Sequence, residues 1–574
     1  MHYKFSLPNP GSHYIHIEFA IDVTDKEFTF VKLPAWRPGR YELGNFAKNI
    51  QHFKPYDETG NELAFNKTTK DCWQVETKNS KQLIIKYKYF ANQLDAGACY
   101  ADATQLYINP VHCCVYVDNK SNEKCVLEFQ VDKSFKVATS LRKTASLTFE
   151  AINFNELVDS PCICSPSLKH LQYESGNVAF HIWIQGDFIP EENKLVNDFR
   201  SFTDVQLSAM GSFPFDEYHF LIQATPHAFY HGVEHLKNTV LAIGPAVSLH
   251  RKDLYNELLG VASHELFHAW NIKTIRPVEM MPYDYTKENY AETGYVYEGI
   301  TTYYGDLFLK QCGFFTDAEY LNEISIRINK HLNNEGRFNH SVAQSSFDTW
   351  LDGYVPGVPG RKTSIYDEGS LIALMLDFLI RKDSSLKYSL DDVMKKLYED
   401  FGKTGIGYSS VDFQSVAEFF MGRSLKDFFE GIVYKAVSYR SLFEELISFA
   451  GLSLEERFSP KMNERFLGFV LEEAPALPKV LSIATTSPAF ETGLSLGDEL
   501  ISVNGYKADR RLDDILKLNK KEVIEVDVFS QQKQKTLQMR RGDKSYFSIY
   551  SIKNYEKKSA EQEKFYNSWL RKGK

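Results

Sequence analysis

The chain has 574 residues, of which 43% are hydrophobic and 25% charged, with a formal net charge of −9. That length leaves room for three or four domains with a large buried core, and the mild acidity argues against a surface built to hold nucleic acid. No stretch reads as a membrane span, since the longest apolar run, near residues 371–380, is interrupted by Asp377.

The first ten residues carry Lys4 and two prolines and lack the apolar centre of a signal peptide. A cytoplasmic protein is expected, or a periplasmic or secreted one if a leader has been removed. Up to about residue 168, apolar and polar residues alternate, as in His13-Tyr14-Ile15-His16-Ile17-Glu18-Phe19, in 83–90 and in 126–131. Period two between Gly, Asn, Asp and Lys turns predicts an antiparallel β-sandwich over 1–168. Within it, Trp36-Arg37-Pro38-Gly39-Arg40-Tyr41 reads as a Pro-Gly turn flanked by aromatics. Seven of the eight cysteines precede Ser165. The pairs Cys113-Cys114 and Cys162-Ile163-Cys164 are too closely spaced for a structural zinc knuckle, so buried free thiols are expected.

From 169 to 448 a short β-rich entry gives way to helices. Residues 254–275 place Leu258, Leu259, Ala262, Leu266, Phe267 and Trp270 at helical spacing, with Pro277 marking the end. A second helix is expected from 294 to about 313, and a third, strongly apolar one over 371–380, opened by Tyr366-Asp367-Glu368-Gly369. Ser389 before Asp391 and Asp392 predicts an N-cap, and Ser424 is expected to begin a helix through Val433.

The first of these helices carries His264-Glu265-Leu266-Phe267-His268. Histidines at i and i+4 project from one face, where their ring nitrogens can bind a single tetrahedral ion, and Glu265 lies where its carboxylate can take a proton from water at the metal. On a buried helix, two histidines flanking a glutamate are costly without a metal or other partners. A catalytic zinc needs a third protein ligand and an open position. Glu298, in the apolar first half of the second helix, is the candidate, because ligation removes the penalty of burying its carboxylate. A surface glutamate favoured by the helix dipole is the other reading of that residue.

The stretch His264 to Pro277 (HELFHAWNIKTIRP), followed by VYEGITTYY, resembles the glycyl aminopeptidase family of zinc peptidases, relatives of aminopeptidase N in the gluzincin group. The interval from His268 to Glu298 is 298 − 268 = 30 positions, longer than in aminopeptidase N. The resemblance implies one Zn2+ per chain held by His264, His268 and Glu298, with Glu265 as general base. Tyr230-His231-Gly232-Val233-Glu234-His235 is similar to the family's Gly-x-Glu-His segment, which implies that Glu234, beside Gly232, holds the substrate's free α-ammonium; His231 departs from the glycine often found there. On the residues alone an exposed loop with a fortuitous glutamate remains open. The resemblance also implies that Tyr366 donates a hydrogen bond to the developing oxyanion, although in a chain with 33 tyrosines a plain core aromatic is the competing reading. The Trp36 to Tyr41 segment resembles the family's N-terminal domain.

Further on, Phe466-Leu467-Gly468-Phe469, Ser487-Pro488-Ala489 and the run from Gly493 to Gly505 look like a PDZ domain, expected over 449–550. Such a groove takes a C-terminal peptide by strand addition, or is filled by its own chain. In the tail, 551–574, Phe565, Tyr566, Trp569 and Leu570 form an apolar stripe that can dock as a helix.

The expected protein is therefore a multidomain α+β chain. An N-terminal antiparallel β-sandwich (1–168), a thermolysin-like, mostly helical zinc metallopeptidase domain (169–448), a β-rich PDZ-like domain (449–550) and the tail follow one another. Its expected function is that of a zinc aminopeptidase acting on peptides with a free N-terminus, with small first residues (Gly or Ala) implied by the resemblance. An endopeptidase without the amine anchor and a PDZ-based adaptor with vestigial hydrolysis are the alternatives.

Overall fold

A computed structural model describes residues 1–23, 26–355, 357–472, 477–509, 512–518 and 521–570. They form two compact units, one of Met1–Tyr320, Gly336–Leu442 and Glu563–Lys574, the other of Leu321–Glu335 and Phe443–Gln562. Among the described residues no helix is long and apolar enough to cross a membrane.

In the first unit, the N-terminal region builds a seven-stranded sheet that runs from Arg142–Ala145 at one edge through Thr148–Ala151, Cys125–Gln130, His2–Ser6, Tyr14–Asp22 and Gln82–Phe90 to Ile50–Tyr56. Strict alternation in Tyr14–Asp22 turns Ile15, Ile17, Phe19 and Ile21 into the core and leaves the polar residues outside. The sheet is not purely antiparallel, because His2–Ser6 pairs in parallel with Cys125–Gln130. Alternation fixes which face is buried and is the same for either strand direction, so the pattern carried no signal of this pairing. All eight cysteines are free, and all but Cys312 are buried.

The helical region opens on a five-stranded sheet in the order Lys169–Ser175, Val178–Gln185, Glu217–Ala224, Asn238–Gly244, Phe229–Glu234. Helix Glu192–Met210 makes the crossover that the parallel pairing of Val178–Gln185 with Glu217–Ala224 requires. The last strand, Phe229–Glu234, is an edge, antiparallel to Asn238–Gly244.

Helix Lys252–Phe267 packs beside that edge and stops well before Ile275, where the apolar spacing had placed its end. The chain tightens after His268 through Ala269 N–H to Leu266 and Trp270 N–H to Phe267, then turns at Ile272, whose φ of 96° no helix tolerates. The apolar residues beyond His268 are buried as a turn instead, so periodicity alone overran the boundary. The second helix begins with one wide π-turn, Tyr295–Ile300, and continues as Thr301–Gln311. It crosses helix Ile365–Asp383 where two glycines meet: a Cβ on Gly299 would lie 2.3 Å from the Gly369 Cα. The Ser424 segment likewise divides into a short helix, Lys426–Phe428, and a π-turn, Phe429–Val433. Ser389 caps Leu390–Leu397 through a capping box with Asp392. Within this unit Trp569 is fully buried, its indole N–H donating to the Tyr303 hydroxyl at 3.0 Å, while Arg381 holds the Ser568 carbonyl at 2.7 Å.

The second unit holds a sheet of Phe469–Glu472, Lys479–Ile483, Glu499–Val503, Tyr506–Lys507, Val523–Ser530 and Lys533–Arg540 around a core of Phe469, Val480, Leu500, Ile524, Val526 and Val528. Residues 571–574 of the expected tail lie outside the described residues.

Candidate active site

Helical spacing brings His264 and His268 to one face, their Nε2 atoms 3.1 Å apart. The wide turn at Tyr295–Ile300 delivers Glu298 opposite them, with its Oε2 3.5 Å from His268 Nε2 and 3.8 Å from His264 Nε2. His268 and Glu298 are buried, and the His264 side chain keeps 21% of its surface open. The His268 Nδ1–H donates to the Asn271 carbonyl at 2.9 Å, which turns Nε2 toward the gap. Asn271 is itself fastened to the second helix through Val296 O at 2.8 Å and Thr301 Oγ1 at 3.0 Å.

These donors fit a divalent cation. Tetrahedral zinc with bonds of about 2.0–2.1 Å has ligand edges of roughly 3.3 Å, close to the separations of 3.1, 3.5 and 3.8 Å found here. The local charge points the same way. Burial, with Glu234 and Glu298 adding to it, pushes the Glu265 carboxyl up to about 8 against the opposing pull of His268. Burial would depress the His268 imidazole, yet Glu298, Glu234 and Glu265 raise it to about 10. Three buried carboxylates around two imidazoles make a pocket that demands positive charge.

Glu265 extends toward the edge strand, and its buried Oε2 has no hydrogen-bond partner among the described residues. Gly232 permits this, because a Cβ there would lie 2.2 Å from Glu265 Oε1. Two residues along the same strand, Glu234 is buried on that same side, facing Gly39. Tyr366 lies in the first turn of Ile365–Asp383, capped by Ser364, and packs on a cluster of Trp36, Tyr41, Tyr297 and Trp350. Burial, reinforced by the Glu298 charge, holds its phenol well above the usual range, so it stays a neutral donor. His264, Glu265, His268, Glu298, Glu234, Gly232 and Tyr366 thus lie in one neighbourhood.

Two residues of the N-terminal region also reach this neighbourhood, and spacing gave no sign of them. Tyr41 donates its hydroxyl to Glu298 Oε1 at 2.5 Å. Gly39, with φ of 78°, faces the Glu234 carboxylate so closely that a Cβ would lie 2.4 Å from Oε2. Both belong to the Trp36 to Tyr41 turn, whose composition marks a turn and says nothing about what it touches.

A second convergence of possible ligands, His181, Glu217 and His219, has the wrong protonation for a metal. His219 Nδ1 accepts the Trp183 indole N–H at 3.1 Å, which puts the proton of the neutral ring on Nε2, facing Glu217.

Comparison with known proteins agrees with the geometry. Residues 2–166 match the Peptidase M61 N-terminal domain, and residues 257–372 match M61 glycyl aminopeptidase. The chain carries peptidase M61 family domains. The M61 match over 257–372 contains His264, Glu265, His268, Glu298 and Tyr366. An aminopeptidase N family protein from Idiomarina loihiensis shares the fold at a TM-score of 0.90 and 25% identity, over 99% of each chain. A mutant M1 zinc metallopeptidase from Deinococcus radiodurans, bound to a Tyr-Ser-Ala substrate, aligns at a TM-score of 0.47 and 14% identity over 76% of this chain and 94% of its own. No curated protein matches the chain.

Proposed function

We propose that the chain is a zinc-dependent aminopeptidase that removes the N-terminal residue of peptides and favours a small one, Gly or Ala. The observation that carries this reading is the convergence of His264, His268 and Glu298, with Glu265 beside them and Glu234 on the adjoining edge strand. The M61 glycyl aminopeptidase match supports the peptidase class and the small first residue.

His264, His268 and Glu298 would hold the metal. When bound, zinc supplies Lewis acidity that polarises the scissile carbonyl and acidifies water. Glu265 Oε2, buried and without a partner among the described residues, takes the proton of the attacking water and returns it to the departing amine nitrogen. The neutral Tyr366 hydroxyl donates to the substrate's developing oxyanion, a contact that strengthens as charge builds. Glu234 pairs with the substrate's α-ammonium, which fixes the peptide in register and makes cleavage exopeptidic.

Metal analysis combined with assays on free and N-acetylated peptides tests the reading. One zinc per chain, cleavage of free Gly- and Ala-peptides only, and loss of turnover in Glu265→Gln with zinc retained are expected. Equal cleavage of acetylated peptides would remove the role of Glu234 and leave an endopeptidase; zinc in both proteins with hydrolysis by neither would favour the adaptor.

The sheet around Phe469–Glu472 is read as a PDZ-like module whose carboxylate loop is filled by its own chain. Gly468 N–H already donates to the Asn463 carbonyl at 2.8 Å, while Gly542 N–H and Tyr546 N–H hold the Phe466 and Arg465 carbonyls at 3.0 and 3.3 Å. Those contacts oppose a C-terminal peptide as its ligand at that loop.

A further inference from the structure

The N-terminal β-rich region reaches across to the proposed metal ligands, and the contact it makes there is specific. Tyr41 directs its hydroxyl to Oε1 of Glu298 at 2.5 Å, and the other oxygen, Oε2, is the one that faces the two imidazoles. The phenol has little freedom to do otherwise. Its ring stacks on Tyr297 at 6.3 Å and 22° and meets Trp350 edge-on at 6.0 Å and 85°. The turn that carries it is tied on both sides: Ala35 N–H and Trp36 N–H donate to the Tyr285 carbonyl, Gly44 N–H and Asn45 N–H to the Ala35 carbonyl, and the Trp36 indole to the Arg40 carbonyl.

We propose that Tyr41 is a positioning residue that occupies one oxygen of Glu298, so that the glutamate offers a single oxygen to the metal and one coordination position stays open. This rests on the zinc reading above. A carboxylate can ligate through one oxygen or through both, and a hydrolytic site needs a vacant vertex after its three protein ligands. For Glu298 to chelate, the metal would have to share Oε1 with the Tyr41 hydroxyl, and loss of that hydrogen bond would leave a buried donor without its acceptor. The hydrogen bond thus opposes the extra ligand at the point where it would close the site. A group outside the ligand set that orients a ligating side chain commonly changes metal affinity or activity by about 10–100-fold when removed. Tyr41 differs from most such groups in arriving from a different region of the chain, which makes the open vertex depend on how the N-terminal region is seated.

Cobalt(II) in place of zinc in the full-length protein reads the coordination number directly, because a four-coordinate cobalt site absorbs far more strongly in the visible than a five-coordinate one. The wild-type protein should show the intense spectrum at one cobalt per chain. Tyr41→Phe, which keeps the ring and its packing, should bind the same stoichiometric cobalt with clearly weakened absorption, and with zinc should lose about ten-fold or more in kcat at little-changed KM. Identical spectra for wild type and Y41F would overturn the inference, and so would a wild-type spectrum that is already five-coordinate, an outcome that needs no variant to fold. Failure of the underlying reading looks different: His264→Ala would then bind cobalt as wild type does, or neither protein would bind it stoichiometrically.

Discussion

Gly232 and Glu265 occupy adjoining space so closely that a single methyl group at position 232 would overlap the Glu265 carboxylate. The Cβ that any other residue would carry at position 232 falls 2.2 Å from Glu265 Oε1 and 2.7 Å from its Cδ. Gly232→Ala must therefore push the carboxylate out of its place against the edge strand. Because misplacement by about 1 Å can cost around 100-fold in rate, kcat should fall by about 10–100-fold. The atoms nearest to that Cβ belong to Glu265 and Val261 rather than to His264, His268 or Glu298, so zinc content should stay at one per chain. Measuring both in the same preparation separates a displaced base from a lost metal; full activity in the alanine variant would show that Glu265 is not needed where it lies.

Gly39 bears the same relation to Glu234, with an added backbone constraint. Its φ of 78° lies in the left-handed region, and a Cβ would come within 2.4 Å of Glu234 Oε2. Gly39→Ala should shift the carboxylate proposed to hold the substrate's amine while leaving the base and the metal ligands in place. The expected signature is a KM for free-amine peptides raised by about ten-fold, one charge-assisted contact being worth about 1.5–3 kcal/mol, with a smaller change in kcat. A fall in kcat at constant KM would point away from substrate anchoring.

How much of this was legible beforehand depends on the range over which each signal acts. His264 and His268 are four residues apart on a helix, so their shared face follows from local geometry alone. Glu298 was found through the cost of burying a carboxylate, a local signal of another kind. Tyr41 lies 257 residues from Glu298 along the chain, and nothing within its own turn reports that distance being closed. Gly39 reads as a turn glycine and Gly232 as part of the substrate-binding segment that resembles Gly-x-Glu-His, because what each makes room for lies on another element. The end of the motif helix was missed for a related reason: Ala269 and Trp270 are as buried in the turn as they would be in a helix, so the apolar pattern did not mark where the hydrogen bonding changes.

A buried charge cluster ties the proposed amine anchor to the end of the motif segment and sets a pH dependence. Asp159 lies 2.8 Å from Lys273 Nζ, whose side chain is fully buried, and 2.9 Å from His235 Nδ1, next to Glu234. Burial opposes ionisation of Asp159, but Lys273 and His235 more than offset it and hold the carboxyl below its usual value. Burial likewise opposes charge on Lys273, and Asp159 raises it above its usual value. A depressed carboxylate contributes stability that is present above about pH 4 and lost as pH falls through its folded value; a raised lysine contributes stability present below about pH 10.4 and lost as pH rises beyond it. The His235 imidazole, lowered by burial against the pull of Asp159, adds a loss that begins as pH drops below about 6.5. The cluster's contribution to stability should therefore be flat from about pH 7 to 10 and fall on either side, read as the difference in melting temperature between the wild type and a variant without Asp159. Asp159→Ala leaves Lys273 buried and unpaired and should cost about 3–5 kcal/mol at neutral pH. It should also flatten the acid limb below pH 4, which thermal melts at matched ionic strength would show. A neutral-pH melt unchanged in the variant would rule out the cluster as a stabilising element.

The same bookkeeping of charge predicts what metal removal does. Glu234, Glu265 and Glu298 are three buried carboxylates in one pocket, and without a cation their mutual repulsion is relieved in part by His268, by Arg37 and by protonation of Glu265, whose carboxyl is pushed up to about 8. A cation bound to the native state alone adds RT ln(1 + [L]/Kd), about 2.7 kcal/mol when free zinc is one hundred times Kd. Chelation should thus lower the melting temperature by several degrees and abolish hydrolysis, with both restored by zinc. In Glu298→Ala, where one ligand is gone and the repulsion is reduced, the melting temperature should no longer respond to zinc, and chelator should change nothing. If that variant still gained stability from zinc to the wild-type extent, the ion would have to bind elsewhere, and Glu298 would be a buried carboxylate kept in place by Tyr41 and the two imidazoles.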